Sequence, residues 1–219
     1  MDIEFIKQYI PLYIDAAKLT LSIGFKGILL SVILGLICSL IRYFKIPVLR
    51  RIVGGYIELS RNTPLLIQLF FLYFGLPKVG VVLSAETCAL IGLTFLGGSY
   101  MAEAFRSGFD SISSIQIESG LSIGLTPFKV FYHIVLPQAI SVSVPAFSAN
   151  VIFLIKETSV FSAVALADLM FVAKDLIGLY YKTDEALFML VVAYFIILLP
   201  ISVVFRIIEK RVRYAGFGN

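Results

Sequence analysis

Two charged residues, Arg61 and Glu157, stand within long apolar stretches of the sequence. A charge inside an apolar medium is costly, so each position predicts a function. The Glu157 carboxylate can accept hydrogen bonds from an ammonium group, and the Arg61 guanidinium can hold a carboxylate through two parallel bonds. Two alternatives stay open: the two side chains pair with each other, or Arg61 anchors its helix at the inner membrane interface.

Polar side chains accompany both charges at helical spacing. Asn150 precedes Glu157 by seven residues and Gln68 follows Arg61 by seven, which places each pair on one face of a continuous helix. Tyr100, next to small residues, is suited to line a cavity. The predicted binding set is therefore Glu157, Arg61, Gln68, Asn150 and Tyr100.

A polar-to-amphipathic segment over residues 116–137 interrupts the apolar runs. Gly120 and Gly124 permit a tight turn or a close backbone approach. Pro127 can begin a helical turn, and Pro137 is expected to end or kink one. The segment is therefore predicted to form a short helix, a bend and a return along the membrane surface.

Sequence signals for catalysis and metal binding are absent. The chain has no GxxxxGK[ST] loop, no HExxH and no GxSxG. Its single histidine, His133, has no partner to form a site, and Cys38 and Cys88 have neither metal nor disulfide spacing. We therefore predict no catalytic residue and no metal site, and the basic net charge of +4 requires no nucleic acid.

The composition requires lipid as part of the solvent, since 59% of the 219 residues are hydrophobic and the mean hydropathy is +0.98. Irregular backbone cannot face hydrocarbon, so we predict an all-α membrane protein with a single domain over residues 1–219. Five spans are predicted, at about 19–41, 52–75, 85–105, 144–166 and 186–207.

Small and charged residues make the third predicted span distinctive. Gly97 and Gly98 are suited to close helix approach or to lining a cavity. Glu103 and Arg106 are three residues apart, so we expect them to pair near the inner surface.

Basic residues set the expected orientation, because Lys and Arg collect in cytoplasmic loops. One basic group lies between spans one and two, and another lies at the carboxy terminus: Arg42, Lys45, Arg50 and Arg51, then Arg206, Lys210, Arg211 and Arg213. Five spans then place the N-terminus outside, residues 106–143 in the cytoplasm and residues 167–185 in an outer loop.

The segment 116–137 resembles the cytoplasmic loop of the membrane subunits of bacterial ATP-binding cassette (ABC) importers. That loop reads Glu-Ala-Ala, three residues, Gly, nine residues, Ile, one residue, Leu-Pro. The matching residues, together with Leu125 directly after the second glycine, form the predicted coupling set; Ser119 and Gly120 replace the alanines: Glu118, Ser119, Gly120, Gly124, Leu125, Ile134, Leu136 and Pro137.

Three further stretches resemble permeases for polar amino acids of the histidine, glutamine and arginine type. Ser60–Leu66 reads SRNTPLL, with Asn62 where such permeases usually have glycine. Tyr100–Gly108 and Ile155–Ser159 are similar to the ends of their third and fourth spans. The resemblance covers about residues 15–210.

This resemblance implies a type I importer permease in the bacterial inner membrane that carries a polar amino acid by alternating access. It implies partner ATPase subunits that bind ATP and magnesium, an extracytoplasmic amino acid-binding protein and a second permease, identical or paralogous. No cofactor is expected on this chain. Glu157 and Arg61 would then hold the substrate ammonium and carboxylate.

Two other classes of function make different demands on the sequence. A secondary transporter or channel driven by an ion gradient predicts an internal repeat or broken helices at matched positions, and neither is clear in the sequence. A membrane scaffold or enzyme subunit predicts no need for Arg61 and Glu157. The sequence leaves open which amino acid is carried and whether the permease itself selects it.

Overall fold

A computed structural model of the chain describes residues 1–217, with side chains through residue 212; Arg213, used above for orientation, has its side chain outside that range. The first half contains four helices. They are α1 (Ile3–Tyr43), α2 (Leu49–Arg61), α3 (Leu65–Phe70) and α4 (Ala85–Asp110). A π-helical turn (Phe71–Gly75) and a 3-10 turn (Leu76–Val79) extend α3.

The second half begins with the predicted surface segment. Two short helices, α5 (Ser114–Ser122) and α6 (Pro127–Val130), lead through a π-helical turn (Phe131–Val135) into α7 (Leu136–Glu157). A 3-10 helix (Thr158–Val164) continues α7. Helices α8 (Leu169–Tyr180) and α9 (Thr183–Phe217) complete the described chain.

Four helical runs within residues 1–217 are long and apolar enough to cross a membrane: Ile3–Tyr43, Ala85–Asp110, Pro127–Val164 and Thr183–Val212. The prediction of one continuous helix over 52–75 is wrong. The chain breaks at residues 62–64 between α2 and α3, because Pro64 disfavours helical backbone at the preceding residue and lacks an N–H donor. Three of the other predicted spans lie within longer helical runs, and the span predicted at 144–166 extends two residues beyond the run that ends at Val164.

Helices α1 and α4 form the centre of the fold, and glycines allow their close packing. A methyl group on Gly35 would lie 2.5 Å from the Cβ of Met101, and one on Gly98 would lie 2.6 Å from the side chain of Leu34. Gly97 packs against Ser31 on α1. Close helix approach at Gly97 and Gly98 is therefore confirmed.

Polar contacts tie the beginnings of α1 and α9 together at one end of the molecule. The Lys182 ammonium donates to Asp2 at 3.1 Å, and the Tyr13 hydroxyl donates to the Ala186 carbonyl at 2.7 Å. The C-terminal end of α1 and the segment α5–α6 lie at the opposite end, where Phe109, Val130, Phe131 and Val135 form an apolar cluster. This is the end that sequence charge assigns to the cytoplasm.

Asp168 caps α8 in the connection between the last two spans. Its Oδ1 accepts from the Phe171 N–H at 2.9 Å, and its Oδ2 is buried with no hydrogen-bond partner among the described residues. Burial raises the pKa of the Asp168 carboxyl to about 6, although backbone N–H groups of Phe171 and Met170 oppose the shift. A carboxyl with a raised pKa favours the folded state when it is protonated.

We predict that Asp168→Asn stabilises the protein at pH 7.5 and progressively less toward pH 4. Asparagine keeps the cap acceptor but removes the buried charge. In the wild type, the stability contributed by protonation of the Asp168 carboxyl is fully present below the unfolded pKa near 4. It is lost as pH rises through the folded pKa of about 6 and the buried group becomes charged. The shift of roughly two units corresponds to at most about 3 kcal/mol.

The melting temperature of both proteins, measured in detergent from pH 4 to 8, tests this expectation. Asp168→Ala is the control, because it removes the cap as well as the charge and should therefore be about 1 kcal/mol less stable than Asp168→Asn at every pH. If the melting temperatures of Asp168→Asn and the wild type differ by the same amount at pH 5 and pH 7.5, the carboxylate charge does not cause the difference.

Candidate functional site

The break between α2 and α3 is the first component of the site, and side chains satisfy its backbone. Asn62 Nδ2 donates to the Glu58 carbonyl and Thr63 Oγ1 to the Leu59 carbonyl, each at 2.8 Å. Gln68 Nε2 donates to the Ser60 carbonyl at 3.3 Å and the Thr63 carbonyl at 3.0 Å. The last carbonyls of α2, which have no partner in the helix, are therefore paired.

A cavity of about 310 Å³ lies where this break meets the end of α7. Arg61, Tyr100 and Glu157 line it, and the rest of the wall comes from Phe153, residues 62–66, Leu96 and Val160. Here it is called the central cavity. The sequence placed Arg61 and Glu157 near the middles of continuous helices, whereas each is the last residue of its α-helix.

Arg61 is held beside the cavity by an aromatic ring and an acid. Its guanidinium carbon lies 5.2 Å from the Tyr100 ring centroid, and its Nη1 lies 3.8 Å from the Glu103 carboxylate. Among the described residues the ion pairs of Arg61 involve Glu103 and not Glu157. The Arg61 side chain is 43% exposed, and its single long ion pair leaves donors for a solute.

Glu103 is the acid on which three arginines converge. Arg42 Nη1 lies 2.7 Å from one oxygen, and Arg106 donates to the other through Nε at 3.1 Å and Nη2 at 2.7 Å. Arg61 approaches that second oxygen from the break. The predicted pairing of Glu103 with Arg106 is confirmed, and the additional arginines give the cluster a positive excess.

A second cavity of about 500 Å³ lies on the Glu103 side of Arg61. Arg42, Glu58, Arg61, Tyr100 and Glu103 are among its lining residues. Because Arg61, Asn62 and Tyr100 line both cavities, they lie between the cavity that contains Glu157 and the one that contains Glu103.

Gln68 and Asn150 occupy positions that support the cavity wall. Gln68 spans the helix break, and it does not line the central cavity. Asn150 Nδ2 donates to the Tyr100 carbonyl at 3.1 Å and so ties α7 to α4 beside the ring. The break removes the continuous helix on which the shared face of Gln68 and Arg61 depended. Direct contact of either residue with a solute stays a prediction.

The segment 116–137 has the predicted shape. Helix α5 ends at Ser122, Gly124 takes a left-handed backbone with φ of 86°, and Thr126 caps α6. The alternative that Pro137 ends a helix is wrong, since the helical run continues through it, whereas a kink there stays a prediction. A π-helical turn lies directly before it.

The matched residues of this segment divide into an inner and an outer group. Gly120 is buried, and a methyl group there would lie 2.8 Å from Ile134 Cδ1. Leu125, Ile134 and Leu136 pack against the apolar cluster around Phe109. Glu118, Ser119 and Pro137 are exposed. Large apolar side chains are exposed beside them: Ile115, Leu121, Ile123, Phe128 and Tyr132.

Sequence reasoning missed three contributors to the site. Arg42 was assigned to a cytoplasmic loop, yet it lies at the end of α1 and contacts Glu103. Phe153, one turn before Glu157, forms part of the cavity wall, and its i−4 spacing was a usable signal. Asn62 satisfies the α2 terminus, and only the break gives it that role.

Helical runs that cross a membrane, a break that exposes polar groups to a cavity and a helical surface segment together define a membrane-spanning transport subunit. The comparisons with known proteins identify its kind. The chain belongs to the family described as binding-protein-dependent transport system inner membrane component, whose model matches residues 27–214.

Individual relatives agree with this family. "Probable amino-acid permease protein YxeN" of Bacillus subtilis (strain 168) is 33% identical over 213 residues, covering 96% of this chain and 95% of that protein. The glutamine transport system permease protein GlnP of Escherichia coli (strain K12) is 31% identical, covering 93% and 94%. A crystal structure of an amino acid ABC transporter with histidines aligns with a TM-score of 0.90 and 29% identity, covering 96% of this chain and 99% of that one.

These findings confirm the predicted all-α permease fold of ABC importers, in the inner membrane. They also confirm a transport subunit rather than an enzyme, and they favour an importer component over a secondary transporter.

We predict that Gln68→Leu destabilises the protein, because it leaves the Thr63 carbonyl without its side-chain donor and leaves the Ser60 carbonyl with only a long backbone hydrogen bond of 3.5 Å from the Thr63 N–H. Each unsatisfied buried group costs roughly 1–3 kcal/mol. The matched control is Gln138→Leu. It removes a hydrogen bond of 2.8 Å that the Gln138 side-chain amide donates to the Ile134 carbonyl, on an exposed face where water can replace the donor. Equal melting temperatures for the two variants would contradict this assignment.

Proposed function

We propose that this chain is the permease of an ATP-driven importer and that the central cavity binds a polar amino acid during transport. The observation that carries the proposal is the placement of Arg61 and Glu157 on one cavity at the ends of α2 and α7. An amino acid carries both an ammonium and a carboxylate. The cavity offers one group of opposite charge to each.

Glu157 is the proposed acceptor for the substrate ammonium. Its carboxylate forms no ion pair with the described residues, so a cation that enters the cavity meets an uncompensated acid. Arg61 is the proposed donor for the substrate carboxylate. Tyr100 and Phe153 supply apolar walls, and the volume of about 310 Å³ is at the small end for ligand pockets.

Release of the substrate toward the inner compartment follows from competition between Glu103 and the substrate carboxylate for Arg61. The contact of 3.8 Å with Glu103 is long for an ion pair, so it can be exchanged for a substrate carboxylate. Return of Arg61 to Glu103 would then free the carboxylate beside the larger cavity. Gln68 is proposed to hold the helix break in place, and Asn150 is proposed to hold Tyr100 in place. Direct contact of these two side chains with the substrate remains the sequence prediction.

The segment α5–α6 is the proposed docking element for an ATPase subunit, which binds ATP and magnesium. Glu118 and the exposed apolar side chains beside it face outward, whereas Gly120, Leu125 and Ile134 fix the shape of the segment. The cluster around Phe109 joins it to α4, and α4 also carries Tyr100 and Glu103. Motion at the docking element can thus reach the cavity through one continuous helix.

Other partners and the orientation are part of the same proposal. The positive residues near α1 and α9 support an outer N-terminus and a cytoplasmic C-terminus. An extracytoplasmic binding protein would deliver the amino acid at the end that carries Asp2 and Lys182. A second permease, identical or paralogous, would complete the path.

We predict that Glu157→Gln raises the KM for amino acid uptake by at least about tenfold. A hydrogen bond to a charged group contributes roughly 1.5–3 kcal/mol, and glutamine keeps the shape while removing the charge. Uptake by membrane vesicles that contain the complete transporter measures this effect.

Lys156→Gln is the matched control, since Lys156 is the exposed neighbour of Glu157 and does not line the central cavity. Uptake by that variant is expected to stay near the wild-type rate. Normal uptake by Glu157→Gln at normal membrane abundance would remove Glu157 from the binding site.

We predict that Glu118→Arg abolishes co-purification of an ATPase subunit with the tagged chain, whereas Glu86→Arg at the opposite end of the molecule does not. Substitutions of Gly124 should reduce co-purification of the ATPase subunit to different extents. Alanine at a φ of 86° costs about 1–2 kcal/mol, and asparagine tolerates that backbone better. The expected order of ATPase recovery is therefore wild type, Gly124→Asn, Gly124→Ala. Full recovery with Glu118→Arg would exclude this surface as the docking site.

A further inference from the structure

A third polar cavity, of about 360 Å³, lies at the inner end of α1, next to the cavity on the Glu103 side of Arg61, with which it shares Arg42. Four basic side chains line it, Arg42, Lys45, Arg50 and Arg106, against the single acid Asp110. Here it is called the basic pocket. Even when Glu103, which pairs with Arg42 and Arg106, is counted with Asp110, an excess of two positive charges remains, and such an excess favours an anion.

Two of these basic residues are free to bind a ligand. Arg42 and Arg106 already contact Glu103, and Arg106 also lies 2.7 Å from Asp110. Lys45 and Arg50 take part in no ion pair within the part of the chain whose side chains are described. The pocket therefore has an inner wall of fixed arginines and an outer pair of uncommitted cations.

The backbone at Lys45 gives independent support. The Ile46 N–H bonds the Ile41 carbonyl and the Lys45 N–H bonds the Arg42 carbonyl, which is the Schellman arrangement that closes a helix. Lys45 occupies the left-handed position of this motif, with φ of 52°, where glycine is the usual residue. A lysine there costs about 1 kcal/mol relative to glycine, and a role for its side chain in the pocket would offset that cost.

The surroundings indicate what the anion is attached to. Phe44, Val48 and Ile52 are 50%, 67% and 60% exposed on the connection and helix beside the pocket. They lie at the end of the first span, where α1 leaves the hydrocarbon layer. Exposed apolar side chains next to clustered cations suit a molecule with an anionic headgroup and hydrocarbon chains.

We propose that the basic pocket binds the phosphate headgroup of an anionic phospholipid of the inner leaflet. Lys45 and Arg50 contact the phosphate, with Arg42 and Arg106 behind them. The acyl chains lie over Phe44, Val48 and Ile52. Because Arg42 and Arg106 also bind Glu103, the lipid would fix the inner end of α1 to α4 beside the proposed transport path.

The test uses the full chain, purified in detergent with the subunits that accompany it and freed of native lipid. Native mass spectrometry counts bound short-chain phosphatidylglycerol, with short-chain phosphatidylcholine and inorganic phosphate as the other probes. Phosphatidylglycerol should bind at least about tenfold more tightly than either. Equal binding of phosphatidylcholine, or equal occupancy by inorganic phosphate, would overturn the assignment to an anionic lipid.

Variants separate this role from a structural one. Lys45→Gly should weaken phosphatidylglycerol binding about fivefold while the melting temperature of the lipid-free protein stays the same or rises. Arg50→Gln should weaken binding similarly. Arg51→Gln, which changes a neighbouring arginine that does not line the pocket, should keep affinity within about twofold. Unchanged affinity in Lys45→Gly and Arg50→Gln, or an equal loss in Arg51→Gln, would refute the site.

Discussion

A helix that stops inside a membrane leaves backbone carbonyls and amides without partners, and hydrocarbon can satisfy none of them. Much of this structure follows from the interruption of the second span at residues 62–64. Asn62, Thr63 and Gln68 pair the exposed carbonyls, so the break can persist next to a cavity. The same break turns Arg61 from a residue within a helix into the end of one. From there its guanidinium can reach solutes.

The break matters for transport because α4 passes beside it. This helix packs tightly on α1 through glycines at one level, carries Tyr100 and Glu103 at the next, and ends in the apolar cluster that supports α5–α6. Charge on Glu103 is shared by arginines from α1, α2 and α4. A shift of α4 would therefore change the balance of contacts around Arg61, which gives a physical route between a surface segment and a buried cavity.

Hydropathy and charge located four of the observed helical runs, one of them with an end two residues too far, and identified the surface segment, because period, glycine and proline act locally. The spacing of Glu118, Gly124 and Leu136 also pointed to the family that the comparisons confirm. The interruption at Pro64 was not predicted, since an average over about 20 apolar residues hides one proline. The convergence of Arg42 and Arg61 on Glu103 depends on packing between three helices. No spacing within one helix could reveal it.

Gln68 illustrates the same limit. Seven residues from Arg61 would share its face on an unbroken helix, but the break changes the direction of the chain, and the amide serves the backbone instead. Conversely, the assignment of Arg61 and Glu157 to one cavity needed only that two costly charges seek polar surroundings. Elementary energetics therefore anticipated which charged residues line the cavity better than it anticipated how the chain is arranged around them.

The most direct test of the central cavity is calorimetric binding of an amino acid and its des-amino analogue to the purified transporter without a binding protein. A transported polar amino acid should bind the wild type at least about tenfold more tightly than the analogue, and Glu157→Gln should remove that preference. A preference that survives intact in Glu157→Gln would show that the ammonium is recognised elsewhere and would contradict the proposed site.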